Sequence, residues 1–445
     1  MIRLSKVFIF VISILACLIH SNILAIASFV IYLFYIFIKD KKFILKYFYV
    51  VFLVTTNILG VFIIESTYLY LFEVGQWTSK ANSLGPIVIV HLLFLETLFF
   101  VDGIYKNKQA NLITRKSFSD TFFILAAVFS IAILFYLFLK VIDKPYFIFE
   151  YDRFAYQQNI LSPLDAKLGN LFLYLMPIFY FLLIKYRKLG LIVIALYNIY
   201  FIWIGHKFSI FIMAFQIGLL AVYQYIPTNK LRGYIVKVGI VMSLFIGIVT
   251  IQNVLVRDFS IENNIAYLQQ RLAQQGQLWW AVYKEKEFHE MHLAEAGEEL
   301  SLFFKPKADE NEKAFDLGMF KIMKLVAPEN IVQFKIQQDS RFAFSTQSSI
   351  LYYFNYPTLL LMTILIAALF SVLTNTLIQY INEGNFINTI LLSKLYITYV
   401  RFISNSDFHT IFSLEVICIL FLIAFVNLLL KLRRRKYQIK SPVLY

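Results

Sequence analysis

Long apolar runs recur along nearly the whole 445-residue chain, separated by short polar breaks. A helix needs about 20 largely apolar residues to cross a bilayer core. By that measure the runs near 47–64, 85–101, 119–139, 169–184, 190–204, 208–226, 234–252, 349–378, 386–403 and 411–430 each predict a span. The stretch 7–38 is too long for one crossing, and His20-Ser21-Asn22 interrupts it. Two spans are expected there and about twelve transmembrane helices in all, with eleven as the alternative. The pattern is that of an all-α polytopic membrane protein.

One stretch departs from it. Residues 254–347 hold 14 acidic and 11 basic residues and are far less apolar. A loop that long is seldom structureless. Ser260 can cap a helix on which Ile261, Ile265, Leu268, Leu272, Trp279 and Val282 recur at spacings of three, four or seven. The charged middle, Lys284–Asp316, predicts a looser helical excursion, and Phe315–Val326 a second amphipathic helix stopped by Pro328. The chain therefore divides into an N-terminal transmembrane part (1–253, about nine spans), the large helical loop (254–347), C-terminal spans (348–430) and a basic tail (431–445).

Composition narrows the class. Hydrophobic residues make up 60% and charged residues 15%, against about 45–50% and 25% in soluble domains. Cys17 and Cys418 both lie in apolar runs, so neither a disulfide framework nor a cysteine metal site is available. The net charge of +14 would suggest nucleic acid in a soluble protein, but its placement points to topology. Loops assigned to the cytoplasm carry 22 Lys and Arg, and the short loops on the other side carry 6. Cytoplasmic loops collect such residues. Both termini are expected in the cytoplasm and 254–347 outside, in the periplasm. Met1–Ala16 resembles a signal peptide without a cleavage site and is expected to be retained.

Candidate chemistry is sparse. His289-Glu290-Met291-His292 spaces its histidines by three, where the metalloprotease helix needs four, and reads as a solvated helix end. Charges within spans are costly and therefore notable: Glu96, Lys394, and near the ends Asp102 and Arg401. Glu96 reads as structural. The outer cations oppose the topological bias and so need another cause. They are His206-Lys207 at a tight inter-span turn, Arg153 in an aromatic-rich loop, and Arg257, Arg271 and Arg341 in the large loop. Arg grips phosphate bidentately and Lys as a point charge, so the set suits an anionic, lipid-linked group. On one continuous helix Arg257 and Arg271 would stand about 21 Å apart. Either the chain bends near Asp258-Phe259-Ser260, or the two arginines serve different ligands.

The segment Arg271–Trp280, with Gln-Gln-Gly-Gln-Leu-Trp-Trp, resembles the outer-loop signature of a branch of bacterial O-antigen polymerases (Wzy-type). Gly318-Met319-Phe320 with Met323 and Pro328, the run Arg341–Thr346, and Gly205-His206-Lys207-Phe208-Ser209 look like further pieces of that branch. The charged insert 284–316 has no counterpart motif. The resemblance implies a GT-C-like membrane glycosyltransferase of the bacterial inner membrane, multi-pass, acting on an undecaprenyl-diphosphate-linked oligosaccharide. Its partners would be the bilayer, a chain-length regulator and a flippase of the same pathway, with no nucleic acid. Expected roles follow: diphosphate binding for Arg271, Lys207, Arg257, Arg341 and Arg153, and catalytic base for His206 or Asp258. Inverting transfer without metal or cofactor is expected, since paired carboxylates are lacking in the short outer loops. A lipid-linked oligosaccharide flippase would show short loops on both sides and related halves. An O-antigen ligase shares the lipid donor and outer loop, and only the motif pieces argue against it.

Overall fold

The computed structural model describes residues 2–109, 120–146, 156, 159–206, 208–227, 229–231, 233, 236, 261–285, 291–301, 318–337, 341–343, 346–406 and 408–439. It is an all-α polytopic membrane protein. Among the described residues eight helices are long and apolar enough to cross a membrane. The expected spans at 7–18, 190–204 and 208–226 appear as helices of 15 to 17 residues, and most of 234–252 lies outside the described residues. Two compact units make up the chain.

The first unit comprises Met1–Gly103, Tyr223–Ser371 and Val400–Phe408. It begins with α1 (Ile2–Leu18) and α2 (Asn22–Lys39). His20 takes a left-handed φ of 53°, and the Ser21 hydroxyl accepts the Leu24 amide to cap α2. The two helices fold back as a hairpin, with Ser13 bonding Ser28 at 2.9 Å and Phe10 meeting Tyr32 edge-on. Asp40 caps the short α3 (Lys41–Lys46), which leads into α4 (Phe48–Ser66). A small hairpin follows, β1 (Tyr70–Leu71) and β2 (Gln76–Trp77), antiparallel. It is a β element in an otherwise helical fold, too short to show as a pattern in the sequence. Next comes α5 (Leu84–Gln109), whose main part belongs to this unit.

The interior of this unit accounts for two of the four intramembrane charges, Glu96 and Asp102. Glu96 bonds Lys6 and accepts from the Tyr32 hydroxyl at 2.7 Å. Asp102 pairs with Lys46, and both side chains are nearly sealed, at 1% and 2% exposure. Tyr47 lies beside them and bonds Ser371 at 3.0 Å. The Lys46–Asp102 pair is sealed and Lys6–Glu96 stays about a quarter exposed, and both carboxylates are taken up in ion pairs.

The large loop supplies five helices to the same unit: α10 (Ile261–Ala273), α11 (Gln277–Glu285), α12 (Leu293–Ser301), α13 (Gly318–Val326) and α14 (Glu329–Gln337). α15 (Thr346–Tyr353) is buried along its length and packs against α11 and α13. α16 (Tyr356–Asn382) then starts the C-terminal spans.

The second unit comprises Ile104–Val222, Val372–Tyr399 and His409–Tyr445. Its helices are α6 (Asp120–Val141), α7 (Pro163–Lys185), α8 (Arg187–Trp203) and α9 (Phe208–Val222), with α7 packed against the other three. Ser162 caps α7 with Pro163 in its first turn. Asp165 there is paired with Lys140 at 3.0 Å. α17 (Phe386–Asn405) ties into this unit through Asn388, which donates to Asn427 at 2.7 Å. α18 (Phe408–Ile411) is a single turn, and α19 (Leu414–Ile439) buries almost none of its span, leaving Leu420, Phe421 and Phe425 exposed.

The Lys46–Asp102 pair gives a direct test. Removing one partner strands a buried charge, at a cost of about 3–5 kcal/mol, whereas replacing both can be neutral. Thermal melting in detergent should fall sharply for Lys46→Met, and the double variant Lys46→Met/Asp102→Leu should recover most of the loss.

Candidate functional site

Arg271 occupies the last turn of α10, a helix that runs against α4. Its Nε donates to the Tyr267 hydroxyl at 2.9 Å and one terminal nitrogen to Gln274 Oε1 at 3.1 Å, with the guanidinium 5.0 Å from the Tyr267 ring centre. The side chain is exposed, and among the described residues no carboxylate pairs with it. Glu285, an acidic residue of the neighbouring helix, instead lies 3.7 Å from Lys284.

The continuous helix suggested by the apolar spacing is broken just beyond Arg271. Gln274–Gly276 form a turn between α10 and α11, and Gly276 meets Gly60 of α4 backbone to backbone. A Cβ on Gly276 would lie 2.3 Å from the Val61 amide nitrogen, and one on Gly60 would lie 2.5 Å from the Leu272 carbonyl. Asn57 donates to the Gln275 carbonyl at 2.6 Å and bonds the ring of His91 at 2.8 Å. The neighbouring Trp279 and Trp280 are fully buried. Their indole nitrogens donate to the Ser83 and Ser79 carbonyls at 3.0 and 2.9 Å. The tryptophans of the motif therefore fasten the loop to the start of α5.

The β1–β2 hairpin is held in the same layer. Gln270 donates to the Tyr70 carbonyl, Gln277 bonds Glu73, and Glu73 pairs with Lys335 at 2.6 Å. Lys284 reaches Gln76 at 3.1 Å while standing over the Trp280 ring. Beneath α11, Glu65 takes the Ser83 hydroxyl at 2.7 Å and the Ser83 amide on one carboxylate oxygen. Its other oxygen is buried with no hydrogen-bond partner among the described residues. Burial pushes the nearby Tyr283 hydroxyl up to about 12, and Cys17 and Glu65 push it the same way.

Arg341 stacks over Phe320 of α13 at 5.1 Å, in the same unit as Arg271 but on a different neighbour. His206 belongs to the second unit. It follows Gly205, whose φ of 69° turns the chain, and its ring packs on Phe201 at 4.7 Å. Lys207, Arg153, Arg257 and Asp258 lie outside the described residues. Of the histidine pair, His289 lies outside them too. His292 stacks on Tyr352 at 4.6 Å and 6° and sits 3.8 Å from Glu295. Among the described residues no three His, Cys, Asp or Glu side chains converge as metal ligands would. Asn57, His91, Tyr267 and Gln274 were not singled out in the sequence. Asn57 and His91 could have been, because each is a polar residue inside an apolar run.

These features define a membrane-spanning helical protein with a layer of short helices fastened to its first unit. Residues 312–421 are similar to a family of unknown function (DUF6418). That range takes in α13, Arg341 and α15, and leaves Arg271–Trp280 outside it. The chain matches neither a curated protein nor a solved structure.

Two measurements probe this layer. Gly276→Ala should dislodge the turn from α4 and reduce folded protein in membranes. Gly297→Ala, whose added methyl meets nothing within 4 Å, should leave it unchanged. The second concerns Glu295, which bonds Lys321 at 2.7 Å and the Tyr352 hydroxyl at 3.0 Å. Burial alone would raise its carboxyl, but hydrogen bonds from Lys321 and Tyr352, with the charges of Lys321 and His292, outweigh that and lower it. A lowered folded value stabilises the fold above the ordinary carboxylate range, near about 4, and the gain fades as pH falls through the lowered value. Melting temperature should drop with acid in that window, and Glu295→Gln should flatten the drop.

Proposed function

We propose that the protein is an O-antigen or surface-polysaccharide polymerase. It transfers a growing glycan from undecaprenyl diphosphate onto a lipid-linked repeat unit at the outer face of the bacterial inner membrane. The observation that carries this reading is Arg271. Among the described residues its partners, Tyr267 and Gln274, are neutral and orient its guanidinium, which leaves its charge to a ligand. The motif resemblance around it supplies the reaction. The reading also carries about twelve spans, a GT-C-like fold, and both termini in the cytoplasm.

Displacing a sugar C1 from diphosphate puts charge on the leaving group, and Arg271 stabilises it through two N–H···O contacts. Arg257 and Arg341, on the same large loop as Arg271, add to the positive charge offered to the diphosphate. The acceptor hydroxyl loses its proton to a general base, the role expected of Asp258 in the large loop, giving inversion at C1. The clamp is cationic, so no metal is needed to neutralise the diphosphate. Exposed aromatic rings such as Tyr68 and Trp77, stacked at 4.6 Å, offer flat faces suited to sugar rings.

The test is the polysaccharide ladder in a deletion strain complemented at matched expression. Arg271→Ala should abolish it while membrane abundance stays normal. Arg271→Lys should also fail, because a point charge cannot reproduce the fork. Loss of such a contact costs on the order of 3 kcal/mol, a rate deficit above about a hundredfold. A wild-type ladder from the Lys variant would remove Arg271 from the clamp. In the deletion strain itself, one retained repeat unit means polymerase, whereas complete loss of repeats means flippase or ligase.

A further inference from the structure

The depth of the Gln274–Gly276 turn follows from its partners on the spans. Gly60 lies six residues before Ser66, where α4 ends, which is about 9 Å of helix. In the other direction it lies twelve residues, about 18 Å, from Phe48, where α4 begins. Asn57, which holds the Gln275 carbonyl, is deeper by about 4.5 Å. Its second partner gives an independent ruler: His91 is seven residues, about 10 Å, inside α5 from Leu84. Both contacts therefore fall within the apolar spans Phe48–Ser66 and Leu84–Tyr105 and not at their ends.

The surface beside this turn is mixed, with exposed Leu272 standing next to polar groups. Arg271 is exposed, and Tyr267, Gln274 and Gln275 are part-exposed. An exposed guanidinium and a non-helical turn are not tolerated against lipid tails, but they are tolerated where they line water.

We propose that this turn is re-entrant and that Arg271, Tyr267 and Gln274 face a water-filled vestibule entering from the side of the membrane on which α4 ends. The vestibule receives the diphosphate of a prenyl lipid below the bilayer surface, so the tail stays in the membrane while the charged group leaves it. The choice of anion rests on the proposed function; the depth and the water do not.

Cysteine accessibility tests it in a Cys17→Ser/Cys418→Ser background of normal membrane abundance. Leu59 is the control, because it adjoins Gly60 and is 39% exposed on an apolar span. A charged, impermeant methanethiosulfonate reagent should modify Gln274→Cys faster than Leu59→Cys by about tenfold or more, given the cost of moving charge into lipid. Farnesyl diphosphate should slow that reaction, farnesol should not, and Arg271→Ala should remove the protection. Equal, slow modification at both positions would overturn the vestibule. Protection by farnesol alone, or protection that survives Arg271→Ala, would overturn the diphosphate site. No glycan is transferred in this measurement, so an error in the assigned reaction would show in the ladder and not here.

Discussion

Backbone meets backbone where Gly276 packs on Gly60, and the arrangement of the loop layer depends on that contact. Small residues let helices in membranes approach to this range. Once the turn is seated, α10 and α11 both lie against α4, and the two buried tryptophans reach the carbonyls at the start of α5. The hairpin, Glu73 and Lys335 then lock around the same turn. Arg271 gains its position from this anchorage, one helical turn away from the glycines.

The spans were legible because twenty apolar residues leave a helix few other choices. The break at His20 was legible for the same reason, as three polar residues inside too long a run. The turn at Gly276 was not. The apolar spacing continues from Leu272 to Trp279 as though one helix ran through, yet the chain turns at Gln274–Gly276, where Gly276 packs on Gly60 of α4. The hairpin between α4 and α5 escaped because two-residue strands show no alternation.

The candidate site divides along similar lines. Its cations could be picked out by their placement, but their surroundings could not. The tryptophans that give the motif its recognisable look serve as hydrogen-bonded wedges, and the residues that orient Arg271 are a tyrosine and a glutamine with no chemical signature of their own. Asn57 and His91 carried the same kind of signal as Glu96, a polar side chain in an apolar run.

Both acids that α5 carries into the interior, Glu96 and Asp102, are matched by lysines that precede them in the chain, Lys6 before α2 and Lys46 before α4. Synthesis proceeds from the N-terminus, so each cation is already made when its carboxylate emerges. α5 can settle only into a bundle whose earlier helices have delivered those lysines. The two ion pairs therefore impose an order on biogenesis, in which the first four helices form the template that the fifth must fit.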